Sequence, residues 1–297
     1  MKKSERLINK KLRLKNRVWE ADFLRGICLI LMMLYHLGIL VSFFNEFFWF
    51  DYVPEGSGFS KFVAFAENST FYSAFVEDYL HKIVIFFFFF LAGIATFFSR
   101  NTIKSFFKTA GFALAVTAAT YGLSLLISDE SFLVTHGVFH IFAFCYLFCT
   151  LASFAFKNKY ARSGFFIFAA VFFIVLDIRA QSGAAVFPDS LWAGFFVDND
   201  LLPSYLDNFY IIPYIGYFLI GAGLAPFLYP EKKSILPKLD KKWHTPVTLI
   251  GRHPVTAYAL HLVVFSIILF IIGLIFVPNE WLDPLKSLFA EIFGTAA

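Results

Sequence analysis

WEADFLRGICLILMMLYHLGILVSFF, residues 19–44, decides the class of this protein. Within it, residues 21–44 are one apolar block with Asp22, Arg25 and His36 as its charged and imidazole members, long enough to cross a bilayer as a helix. Similar blocks follow at about 82–99, 109–127, 138–156, 163–178, 209–228 and 254–277. Each is near the length a bilayer requires. The pattern predicts an all-α, polytopic transmembrane helix bundle of about seven or more spans. Two further stretches, 60–79 and 184–206, are apolar but broken by charge or proline, and suit interfacial or re-entrant elements.

Composition agrees. Of 297 residues, 59% are hydrophobic and only 15% are charged, and mean hydropathy is +0.70. A soluble domain of this size needs a far more charged surface. The 44 Phe residues add bulk without pointing to a function. Net charge is +4, but the cations sit in short loops between apolar blocks. They read as topology signals, so no nucleic-acid partner is expected. Cys28, Cys145 and Cys149 all fall inside apolar blocks, with no metal-ligand spacing. They read as small apolar residues, and no metal is expected.

Charge asymmetry sets an orientation. With the N-terminus in the cytoplasm, eight basic residues precede the first span, three lie in each of the next two inside loops, and six lie in the last. Those twenty of the 25 Lys and Arg stand against an outside rich in Asp and Glu. This predicts a cytoplasmic N-terminus and an outer C-terminus. The basic N-terminal segment, residues 1–20, leads into an apolar block too long for a signal peptide, so that block is expected to be retained as a span. Residues 21–278 form the membrane domain. Residues 279–297 read as an amphipathic segment on the outer surface.

Charged and titratable side chains at membrane depth are costly and mark sites or pathways. Arg25 and His36 are eleven residues apart, close to three helical turns, so they share a face about 16 Å apart along the axis. Asp22, three residues before Arg25, lies on the same flank. His140 enters the fourth span at a depth comparable with His36. His136 and His81 read as interfacial histidines, and Asp177 as an interfacial partner of Arg179. In LIGRHPVTAYALHLVVF, residues 249–265, Pro254 suits a first helical turn. Arg252 and His253 then stand just before a helix N-terminus, a place for an anion such as phosphate. His261 lies about two turns inside. The polar residues thus fall on two levels: an inner, cationic one with Arg25, Arg252 and His253, and an outer one with His36 and His140.

These residues meet a family. RVWEADFLRGICLILMMLYH (17–36) resembles the opening of bacterial proteins grouped with the heparan-α-glucosaminide N-acetyltransferase catalytic domain. The Arg25 to His36 spacing is also similar to the signature of the broader acyltransferase-3 class. FFFFFLAGIATFFSR (86–100), GVFHIFAF (137–144) and GRHPVTAYALH (251–261) resemble later family segments. The resemblance implies transfer of an acetyl or other acyl group from cytoplasmic acyl-CoA, with acetyl-CoA the expected donor, to a sugar or cell-envelope acceptor. It implies a bacterial cytoplasmic membrane as the location, and carries the arginine role onto Arg25 and the histidine role onto His36.

On that footing Arg25 and Arg252 hold the donor's phosphates, with His253 beside them, and Asp22 orients Arg25. His36 acts as base or as acyl carrier, with His140 and His261 as further catalytic candidates. The sequence leaves the choice between direct transfer and an acyl-histidine open, and equally the acceptor and the oligomeric state, a homodimer included. Three other readings use the same residues: a transporter or flippase for an anionic or glycolipid substrate, a non-catalytic membrane scaffold, and a haem or quinone site with His36 and His140 as ligands.

Overall fold

The structure, a computed structural model, describes residues 18–49, 51–68, 76–99, 101–127, 130, 133–183, 196, 209–277, 279–283 and 286. Residues 1–17, most of the 184–206 stretch and most of the 279–297 segment lie outside this set. Nine α-helices are described: α1 (Trp19–Phe44), α2 (Gly58–Asn68), α3 (Lys82–Phe98), α4 (Thr102–Ile127), α5 (Val138–Ala155), α6 (Lys159–Gln181), α7 (Ile211–Leu228), α8 (Thr245–Arg252) and α9 (Pro254–Phe276). Among the described residues there is no strand, and seven helices are long and apolar enough to cross a membrane. They fall on the seven expected blocks. The protein is a polytopic helical membrane protein.

The helices outrun the apolar blocks at several ends. α4 starts at Thr102 and takes in Lys104 and Lys108, and α6 starts at Lys159 and takes in Arg162. Backbone hydrogen bonding continues past the apolar window because a helix satisfies its own polar groups. The Asn158 side chain caps α6, accepting from the backbone N–H groups of Tyr160 (2.8 Å) and Ala161 (3.4 Å). The expected Asp177–Arg179 pair gives way to a bond from Gln181 Nε2 to Asp177 Oδ2 at 2.9 Å. Residues four apart face each other on a helix; residues two apart do not.

The chain divides into two units, one comprising residues 1–21 and 86–241, the other 22–85 and 242–297. In the first, α6 packs along α7, α4 along α5, and α5 on α7. Lipid gives apolar side chains no reason to leave it, so the helices associate through close packing. Glycines set the closest approach: a Cβ on Gly93 would lie 1.9 Å from the Phe218 carbonyl oxygen, and one on Gly221 1.9 Å from that of Phe90. The backbones of α3 and α7 therefore touch. The poly-Phe run divides by depth. Phe89 is fully buried, stacked on Phe142 (4.7 Å, 24°) and Tyr214 (5.3 Å, 22°), while Phe87 is exposed.

In the second unit the core gathers Val41 and Phe44 of α1, Trp49, Val63 of α2, Leu269 of α9, Val277 and Trp281. Trp49 and Trp281 are wholly buried and close over Gly273, where a Cβ would meet Trp49 Nε1 at 2.8 Å. Trp281 thus ties the start of the expected outer surface segment into this core. The part of the 60–79 stretch within the described residues is mostly the short helix α2, with Val63 buried in that core.

Candidate functional site

Two polar clusters are built on α1 within the second unit. The first sits near its N-terminal end. Asp22 and Arg25 are one turn apart and both buried. The Asp22 carboxylate lies between two guanidiniums, with Oδ1 3.5 Å from Arg25 Nη1 and Oδ2 3.5 Å from Arg252 Nε. At that separation these are ion pairs, longer than a hydrogen bond. Arg25 Nη1 also donates to the carbonyl of Gly251 at 3.3 Å. The Arg252 side chain is 27% exposed against 8% for Arg25. Arg25 is therefore a buried tie, and Arg252 is the cation that can still reach a ligand.

Two glycines make this cluster. A Cβ on Gly26 would lie 2.1 Å from the Val247 carbonyl oxygen, and one on Gly251 1.8 Å from that of Asp22. Their absence of side chains lets α8 lie backbone-to-backbone on α1. α8 lies within the stretch expected to be the last cytoplasmic loop. Both glycines stand directly beside the arginines, in LRG and IGR, and that adjacency was the available signal.

The second cluster lies three turns further along α1. His36 Nδ1 is 2.9 Å from His261 Nε2, and His261 Nδ1 is 2.6 Å from the Tyr258 carbonyl oxygen. A carbonyl only accepts, so His261 Nδ1 carries a proton. In the neutral ring Nε2 is then the acceptor, and His36 Nδ1 donates to it. The lone pair of the His36 ring is thereby placed on Nε2, and among the described residues no protein group bonds that nitrogen. Tyr35 stacks on His81 at 4.4 Å, and Tyr258 meets the His36 ring edge-on at 6.1 Å. His81 thus contributes to this aromatic surround.

The remaining candidates go elsewhere. His253 is exposed at the junction of α8 and α9, and among the described residues its side chain joins neither cluster. His140 belongs to the first unit. Its Nδ1 accepts from the Gly137 backbone N–H at 3.2 Å, and its Nε2 is 3.0 Å from Thr117 Oγ1. The Thr117 hydroxyl proton goes to the Val134 carbonyl at 2.8 Å, so Nε2–H is the donor to Thr117. Both ring nitrogens are spent on capping α5 and joining it to α4. His136, expected at an interface, is buried at 1% exposure, with Nδ1 2.8 Å from Thr135 Oγ1. The cysteines are buried and free, and among the described residues no group of three or more His, Cys, Asp or Glu is placed to hold a metal.

The fold and these clusters define a multi-pass membrane protein with an ion cluster joining α1 to α8 and a histidine pair joining α1 to α9. A family model described as "Heparan-alpha-glucosaminide N-acetyltransferase, catalytic" matches residues 59–263, more than half the chain, and the protein belongs to that family. The coarse activity of the family is acetyl transfer at a membrane. The matched residues include His140, Arg252, His253 and His261; Asp22, Arg25 and His36 precede them. No curated protein and no solved structure matches the chain.

Proposed function

We propose that this protein transfers an acetyl group from acetyl-CoA to a hydroxyl or amine of a sugar or cell-envelope acceptor, with His36 as the general base. The observation that carries the reading is the directed lone pair on His36 Nε2, fixed by the His36–His261–Tyr258 chain. The acceptor oxygen or nitrogen attacks the thioester carbonyl as Nε2 takes its proton. The C–S bond then breaks, and the imidazolium returns the proton to the departing thiolate. Positive charge on His36 strengthens the Nδ1–H bond to His261, which makes His261 a positioning residue. The same Nε2 is the atom that would carry the acetyl group in a two-step route.

Arg252 is the reading's contact for a donor phosphate, held in place by Asp22, with Arg25 supporting Asp22 from behind. The charge count supports a cytoplasmic N-terminus and a C-terminus on the outer side of a bacterial cytoplasmic membrane. That puts the Asp22 end of α1 on the side where acyl-CoA is made. The purified chain in nanodiscs, given acetyl-CoA and a panel of amino sugars and polyols, should release CoA only when an acceptor is present. CoA release at the same rate from His36→Ala would refute the assignment of the base.

A further inference from the structure

The first unit holds a cavity of about 610 Å³ that the histidine chemistry does not use. It opens among the C-terminal ends of α3, α5 and α7 and the N-terminal ends of α4 and α6. Its volume is in the usual range for a small-molecule site. Three cations line it: Lys159 and Arg162 from the first turn of α6, and Lys232 from the turn after α7. Among the described residues none of the three pairs with a carboxylate. The one acid in the lining, Glu231, is taken by Lys233 at 2.7 Å.

Lys232 is set there by an unusual backbone. Its φ is +56°, in the left-handed region that side chains seldom adopt. A turn closed by its own N–H on the Tyr229 carbonyl (2.9 Å) holds it. The conformation returns the side chain to the cavity wall, where Nζ donates to the Phe97 carbonyl at 2.7 Å and lies 4.5 Å from the Phe97 ring centre. Although the residue as a whole is exposed, its ammonium end is partly buried. That burial, with the charges of Lys159 and Arg162 beside it, pushes Lys232 below the ordinary lysine value. Like charges have been gathered at some cost, which an anion between them would relieve. Asn158 already caps α6, so the attraction comes from side chains and not from free helix N–H groups.

We infer that the Lys159–Arg162–Lys232 cavity is a binding site for an anionic phosphate group. A soluble phosphorylated compound and the headgroup of an anionic lipid present the same chemistry. In the orientation proposed above, the three loops that supply the site all face the cytoplasm.

The test uses the full chain in phosphatidylcholine nanodiscs, titrated with inorganic pyrophosphate by calorimetry. Wild type should bind, and Lys159→Gln, Arg162→Gln and Lys232→Gln should each weaken binding about tenfold, the size of one charge-assisted contact. Glu231→Gln should tighten it, a gain that misfolding cannot produce. A second arm repeats the titration with phosphatidylglycerol included. Competition assigns the site to a lipid headgroup, and its absence to a soluble phosphate. A wild type that binds neither pyrophosphate nor phosphatidylglycerol, or binding untouched by all four substitutions, overturns the proposal.

Discussion

The ring of His36 donates from Nδ1 to His261 Nε2 across 2.9 Å, and His261 in turn donates to the Tyr258 carbonyl. Two helices separated by more than two hundred residues of chain thereby fix one tautomer. Removing the base should lower kcat about 10² to 10⁴-fold in His36→Ala. His261→Gln keeps a side-chain acceptor and should lose less, with KM for acetyl-CoA unchanged. Steady-state rates of CoA release measure both. Equal losses in the two variants would argue that His261 touches substrate itself.

Asp22 is one carboxylate shared by two guanidiniums, that of Arg25 buried and that of Arg252 partly exposed. Asp22→Asn leaves both cations without their carboxylate and should destabilise the fold by about 3–5 kcal/mol, the usual cost of breaking a buried ion pair. Arg252→Gln, at the more exposed partner, should cost less in stability and more in acetyl-CoA affinity. Thermal unfolding in detergent with and without acetyl-CoA separates the two. A larger stability loss for Arg252→Gln than for Asp22→Asn contradicts this division.

A Cβ on Gly251 would sit 1.8 Å from the Asp22 carbonyl oxygen, whereas one on Gly111 meets nothing within 4 Å among the described residues. Gly251→Ala should therefore destabilise by about 1–3 kcal/mol through overpacking and displace Arg252. Gly111→Ala should be neutral or stabilise by up to about 1 kcal/mol through helix propensity. The same unfolding assay reads both, and a neutral Gly251→Ala would deny the backbone contact of α1 and α8.

His140 has both nitrogens occupied in holding α5 to α4. His140→Ala should cost about 1 kcal/mol of stability, the scale of a lost cap. Its kcat should stay near wild type at temperatures where it is folded. A loss of kcat as deep as that of His36→Ala would return His140 to the reaction.

Much of the protein was legible in its residues, because a bilayer imposes long apolar runs on any chain that crosses it. The seven spanning blocks follow from that constraint alone. The shared face of Arg25 and His36 follows from helical arithmetic, and both turn out to face the same stretch of chain, with partners at Gly251 and His261. His140, a further catalytic candidate by its depth, has both ring nitrogens in bonds to Gly137 and Thr117; depth along a helix says nothing about which hydrogen bonds a ring makes. The helix α8 gives no membrane signal, because it is only eight residues long, follows Lys241 and Lys242 and ends in Arg252.

By itself, then, the sequence determined the class of fold, the charge bias along the chain and the list of polar residues at membrane depth. These are properties of single segments set against a uniform solvent. Only the tertiary structure decided which of those residues meet. It joined Asp22 to two arginines, turned His36 toward His261 and withdrew His140 into a cap. It also drew Lys159, Arg162 and Lys232, read along the chain as scattered loop charges, around one cavity. Pairings between distant segments depend on close backbone approach at glycines and on the direction of each hydrogen bond, and neither is written in the order of residues along one helix.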